Sequence, residues 1–259
     1  MTMNNDKLMM KENFKNKLMD WGASIVGFGN VQGIMQGNFK TYKTAVSIGI
    51  KLLDSVIDEI GDSPTHTYFK LYRTVNALLD EIALKGGMFL EKEGYKAYAV
   101  PASQTVNDLP GKYTGVFQHK TAAYLARLGF IGKSALFISD DYGPRIRLAT
   151  ILTDMDLTDT SEFAGAEQTY LSNQKHLYTK ETHPCENCRK CVDACPAEAI
   201  SGELPIYESG VHKQGFIDRD QLFDAKRCSD YMNKQFRHIG RGSVCGICIK
   251  VCPYGRKQK

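Results

Sequence analysis

The chain has 259 residues, enough for one large domain or two of ordinary size and for a core that needs no cysteine staples. Its 42% hydrophobic and 24% charged content excludes collagen-like and wholly disordered chains. Lys+Arg 33 against Asp+Glu 29 leaves a formal +4, too small a surplus to argue for nucleic acid by charge alone.

Met1 to Lys17 is polar and of mixed charge, without the apolar core of a signal peptide. Within it, Lys11 to Trp21 reads as a helix, followed by a strand over Ala23 to Phe28. Thr44 to Ile50 reads as a second strand. The surrounding stretch Ala45 to Ile57 is interrupted by Lys51 and Asp54 and is far short of a bilayer span. No membrane association and a reducing, cytoplasmic location are therefore expected. Tyr68 to Ile82 places Leu71, Val75, Leu78, Leu79 and Ile82 on one stripe of an amphipathic helix. A short strand over Tyr95 to Pro101 follows, then a helix over Gln118 to Leu128 that Gly129 is expected to cap. Ala135 to Ile138 and Ile146 to Leu152 read as two strands joined by a turn through Asp140, Asp141 and Gly143. This alternation predicts an α/β (α+β) layered domain over 1–175. The polar stretch Asp154 to Thr182 reads as a loop or linker into a second unit over 176–259, where ligand spacing replaces hydrophobic periodicity.

All eight cysteines lie in that second unit. Cys185, Cys188, Cys191 and Cys195, followed by Pro196, form a C-x2-C-x2-C-x3-C-P run. Three closely spaced thiolates suit three irons of one cubane, while the fourth is displaced towards a neighbouring cluster. Cys245, Cys248 and Cys252 before Pro253 form a second run, with Cys228 upstream. Two-cluster ferredoxin spacing assigns Cys185, Cys188, Cys191 and Cys252 to one 4Fe-4S cluster, and Cys195, Cys228, Cys245 and Cys248 to the other. The competing reading is two four-thiolate zinc sites, which usually pair C-x2-4-C knuckles rather than three cysteines in a row.

Two near-motifs fail. Gly129-Phe-Ile-Gly132-Lys133-Ser134 ends like a phosphate loop, but Arg127 stands where a glycine is needed and a strand follows instead of a helix. Gly27, Gly29 and Gly33 space the third glycine one residue too far for a dinucleotide fingerprint.

The segment Leu125 to Ser134, then Tyr142-Gly143, Leu152-Thr153-Asp154 and both cysteine runs, resembles epoxyqueuosine reductases and, in architecture, reductive dehalogenases. The resemblance implies a nitroreductase-like domain holding base-off cobalamin, fused to a ferredoxin-like double-cluster module that reduces the cobalt. By that resemblance Gly129, Gly132, Lys133, Ser134 and Arg145 are cofactor-binding candidates. The residue where the family carries a proton-donating aspartate is Tyr113, and its glutamate falls on His119, which Lys120 follows. Both Tyr113 and His119 can transfer protons and are the catalytic candidates. Arg147 alternates with Arg145 on one strand face, so either could face a cofactor, and His183 reads as a neighbour of Cys185 rather than a ligand. The family's helical-repeat tail has no counterpart before Lys259, so the tRNA reaction is not the expected one.

Lys234, Arg237, Arg241, Lys250, Arg256, Lys257 and Lys259 make the last quarter basic. Such a face suits docking of an acidic reduced ferredoxin or flavodoxin, whereas contacts to tRNA phosphates would give no sequence choice. The expectation is an iron–sulfur reductase that passes electrons through two clusters to a corrinoid and reduces an unnamed small molecule or modified nucleoside. A carrier or corrinoid-reducing partner without its own substrate is the alternative, and a flavin-binding front domain a third reading that no motif supports.

Overall fold

In the computed structural model, which describes residues 5–33, 35, 37–104, 113, 115–158, 178–205, 212–213, 216–217, 219–240 and 244–255, the front of the chain is a three-layer sandwich. Strands β1 (Ile25–Asn30), β2 (Thr44–Lys51), β3 (Ala97–Val100) and β6 (Ile146–Thr153) form one sheet in the order β1-β2-β6-β3, every neighbour antiparallel. Along β2, Val46, Ile48 and Ile50 face one core, shared with Phe14 and Leu18 of α1 (Asn5–Asp20) and Val75, Leu79 and Ile82 of α3 (His66–Lys92). Ala45 of β2 and Leu148 and Leu152 of β6 face the other, shared with Ala122, Ala123 and Leu125 of α4 (His119–Leu125). Helices on both faces explain why β2 and β6 read as nearly continuous apolar runs rather than alternating ones.

Local chemistry sets the helix ends. Thr65 caps α3 by accepting the Tyr68 backbone N–H at 3.0 Å. At the C-terminus of α4 the expected glycine cap is not the one used. Arg127 takes the left-handed conformation (φ 58°), with Leu128 N–H donating to Ala123 O at 3.1 Å and Arg127 N–H to Tyr124 O at 3.0 Å, a Schellman closure. Gly129 lies beyond, at the start of β4 (Gly129–Ile131), which pairs with β5 (Phe137–Ser139). Its φ of 155° and the 2.0 Å that would separate an added Cβ from Ile138 O leave room only for glycine. The two strands joined through the 140–143 turn belong to different sheets: β5 joins β4, and β6 lies at the centre of the main sheet. Gly29 serves packing, since a Cβ there would stand 2.7 Å from Leu125 Cβ and push α4 off β1.

A five-residue α2 (Asp54–Asp58) precedes α3. The cysteine-bearing part adds short helices: α5 (Lys190–Asp193), α6 (Arg219–Leu222), α7 (Ala225–Gln235) and α8 (Ile247–Val251), with a two-residue ladder β7 (His212–Lys213) and β8 (Phe216–Ile217). The expected boundary at 175/176 falls outside the described residues. Val244, Ile247 and Ile249 nevertheless pack into the same core as Ile57, Ile60 and Tyr68. The second part is therefore bonded to the first by shared apolar burial.

Candidate functional site

The cysteine runs converge by folding back on each other. The electrostatic neighbours of Cys252, from the second run, are Cys185, Cys191 and Cys188 of the first. Those of Cys228 are Cys245 and Cys195, and Cys195 is likewise beside Cys245. Cys248 has Cys245 and Cys228 as its foremost neighbours, then Cys191 and Cys195. The fold thus brings Cys252 beside the first run and Cys195 beside Cys228 and Cys245, an arrangement in which crossed ligation is open to both runs. All eight thiols are free and half-buried. Burial pushes Cys191 up to about 11 and Cys228 and Cys252 up to about 12, and raises Cys248 as well. Thiols so desolvated stay neutral unless a metal takes their protons. Among the described residues no three of His, Cys, Asp and Glu close tightly around a single metal ion. Eight cysteines in two open quartets suit two cubanes by donor type and count.

His183 orders the entrance to the first quartet. Its Nδ1 accepts the Cys185 backbone N–H at 3.0 Å and its Nε2 bonds Ile131 O at 3.1 Å. Burial lowers it to about 4, so it is neutral with both nitrogens occupied, a neighbour of the ligands.

The candidates from the Gly129–Ser134 segment sit together in the β4–β5 turn, and that turn meets the first quartet. A Cβ on Gly132 would come within 3.4 Å of Cys185 Sγ. Lys133, only 6% exposed, donates from Nζ to Glu186 O at 2.7 Å and Cys188 O at 3.2 Å. Ser134 is buried in the same turn. Arg145, expected to reach a cofactor, is 1% exposed and pairs with Asp54 at 3.0 Å and Asp58 at 2.8 Å. Its guanidinium holds the Asp58 carboxyl below the usual range. It ties α2 to the sheet, and of the two arginines Arg147 is the one that lines the cavity, beside Ile146 and Leu148.

That cavity, about 360 Å³, is lined mainly by residues of the sandwich, together with Arg219 and Ile249 from the cysteine-bearing part. Ile249, next to Cys248, forms one wall; Tyr113, His119, Lys120, Arg147 and Arg219 contribute polar groups, and no described lining residue is a carboxylate. His119 bonds Thr150 Oγ1 through Nδ1 at 2.9 Å and Pro101 O through Nε2 at 2.8 Å. Burial lowers it to about 4, so the imidazole is neutral, with Nε2–H donating and Nδ1 accepting. Tyr113, with φ of 61°, is exposed and offers its backbone O to Arg219 Nη1 at 2.9 Å. Arg147 is engaged by Asn76 at 3.0 Å and stacks on Tyr72 at 4.2 Å.

Lys120 is the cavity residue that sequence reading passed over. Its Nζ donates to Ala135 O at 2.6 Å, and burial, with Arg219 nearby, lowers it to about 8. Its position after His119 was the available signal, but burial of a lysine is invisible in a sequence. In the basic C-terminal stretch, Lys250 is engaged with Asp58. Lys234 and Arg237 are exposed, and Arg241, Arg256, Lys257 and Lys259 lie outside the described residues.

Comparison with known proteins agrees with this geometry. Residues 184–255 match the family described as the 4Fe-4S double cluster binding domain. The chain is similar to a tetrachloroethene reductive dehalogenase of Desulfitobacterium hafniense, 31% identical over 184 residues that make up 69% of this chain and 27% of that protein. It is also similar to an epoxyqueuosine reductase of Lactococcus garvieae, 26% identical over 152 residues, 55% of this chain and 33% of that one. Among solved structures, a catabolic reductive dehalogenase in complex with 3-bromo-4-hydroxybenzoic acid superposes with a TM-score of 0.68 at 19% identity, covering 95% of this chain and 32% of that chain. The chain thus spans about a quarter of the length of the dehalogenases it matches by sequence. Its C-terminal part is a double 4Fe-4S domain, and its relatives are reductases of two kinds.

Proposed function

We propose that this double-cluster protein is a reductase whose substrate is reduced in the cavity that the sandwich forms with Arg219 and Ile249. The observation that carries the reading is continuity along the chain: Ile249 lines the cavity, and the residue before it, Cys248, has Cys245 and Cys228 as its foremost electrostatic neighbours. Cys185, Cys188, Cys191 and Cys252 hold the first cluster and Cys195, Cys228, Cys245 and Cys248 the second, and bound there the two clusters supply single electrons.

Reduction by an electron pair also takes up a proton, and Lys120 is the group that holds it. An ammonium lowered to about 8 is still charged at neutral pH yet releases a proton readily. Tyr113 stands at the same cavity and is the second candidate donor. His119 acts through position: neutral and bonded at both nitrogens, it fixes Pro101 and Thr150 on the cavity wall. A cavity lined by cations and lacking a described carboxylate favours a substrate that is anionic or gains negative charge on reduction.

The front sandwich is read as the nitroreductase-like module that holds a corrinoid. Both His119 nitrogens are engaged by Thr150 and Pro101, so His119 would shape the wall beside such a group rather than bind its metal. A reduced ferredoxin or flavodoxin, approaching near Lys234 and Arg237, is the proposed electron donor. The test is anaerobic reconstitution with iron and sulfide, addition of cob(II)alamin, gel filtration and electron paramagnetic resonance. A retained base-off cobalt signal beside two clusters is the expected result. Two clusters without retained cobalt would overturn the corrinoid reading and favour a carrier without its own substrate.

A further inference from the structure

The Gly129–Ser134 motif is unused by the cavity chemistry except through the strand it opens, yet it carries a lysine that is buried without a carboxylate partner. Lys133 is only 6% exposed, and among the described residues its Nζ bonds only carbonyls, Glu186 O at 2.7 Å and Cys188 O at 3.2 Å. Among the described residues its Nζ therefore meets carbonyl dipoles and no carboxylate. Its backbone N–H donates to Cys185 Sγ, and the preceding residue, Gly132, lies against the same sulfur. Both carbonyls to which Nζ donates, those of Glu186 and Cys188, belong to the Cys185–Cys188 loop. The turn therefore delivers one positive charge and one N–H to a single point of the first quartet.

An oxidised 4Fe-4S core with four thiolates carries about −2, and reduction adds one more negative charge. A fixed cation at that place meets the missing counter-charge and favours the reduced form over the oxidised one. We infer that Lys133 is the built-in counter-ion of the first cluster, raising its reduction potential through a charge that the front domain inserts into the cluster loop. This rests on the two-cluster reading above. It also separates the two clusters, since the second quartet receives no described lysine in this way.

The test is redox titration followed by electron paramagnetic resonance on the reconstituted wild type, Lys133→Gln and Lys133→Arg. Iron and zinc analysis of the wild type comes first: eight irons uphold the cluster reading, and zinc in their place would overturn that reading rather than the role of Lys133. Glutamine keeps a hydrogen-bond donor and loses the charge, so it is expected to move the first cluster to a lower midpoint while the second stays, and arginine is expected to hold the wild-type value. If glutamine loses the first cluster altogether and arginine keeps it, the charge is required for assembly, and the counter-ion role stands. An unchanged midpoint in Lys133→Gln, or the same midpoint shift or cluster loss in both variants, would show that shape rather than charge matters and would overturn the inference.

Discussion

Lys120 joins a buried environment to a reacting cavity, and its protonation gives the reaction a pH signature. As donor it must be charged, so turnover is expected to fall as pH rises through about 8. Lys120→Met should lower kcat by about 10²- to 10⁴-fold, the usual contribution of a positioned acid, with both clusters retained. A pH profile of the wild type with no basic limb would count against the assignment. The same shift has a thermodynamic sign. The folded-state value lies below the free lysine value of 10.5, so the unfolded chain binds more protons between about 8 and 10.5, and stability rises with pH across that window. His119 behaves alike at lower pH: lowered to about 4 from 6.5, it costs stability progressively as pH falls from 6.5 to about 4. Denaturant midpoints of His119→Phe, compared with wild type across that range, should lose part of this acid dependence.

At the level of elements, the β4–β5 hairpin and the two cysteine runs each make one decisive connection. Gly129→Ala forces a Cβ to within 2.0 Å of Ile138 O, and the hairpin must open to relieve it. A loss of about 3 kcal/mol is expected, as for other strained backbone positions, measurable as a lowered urea midpoint. The crossing of ligands predicts which cysteine variants resemble one another. Cys252→Ser should leave the same residual cluster signal as Cys185→Ser, although they lie in different runs, and Cys195→Ser should leave the complementary signal. Pairing of Cys252→Ser with Cys245→Ser instead would mean that each run holds its own cluster. The helices that carry the ligands explain why metal dominates here. Neither α5 nor α7 buries a residue, so little apolar area holds them in place.

Across the whole molecule, stability is unevenly distributed for that reason. The sandwich has two apolar cores, one on each face of the sheet, while α5 and α7 of the 184–255 segment bury no residue of their own. Removing iron with a chelator is expected to speed amide hydrogen exchange across α7 and leave β2 and β6 protected. Equal deprotection of both regions would show that the sandwich does not stand without the clusters. The shared burial of Val244, Ile247 and Ile249 confines the change, since α8 stays packed against Ile60 and Tyr68.

Much was legible before any fold was known. The sequence determined the double 4Fe-4S domain, because cluster ligation is a matter of residue type and short spacing, and the order of the two runs is what suggests that Cys252 and Cys195 cross over. It also placed most helices and strands of the sandwich, since their apolar patterns are local. Tertiary structure alone decided where buried charges go. Arg145 and Arg147 are equivalent along a strand, yet one is taken by Asp54 and Asp58 and the other reaches the cavity. Lys133 is a cofactor-binding candidate by resemblance alone, and only the fold shows its Nζ in the Cys185–Cys188 loop, because the direction of its hairpin depends on pairing with β5 and not with the main sheet. Lys120 stood unremarked beside His119 because its lowered proton affinity is a property of its surroundings: desolvation is set by segments remote in sequence, and only the fold brings them together.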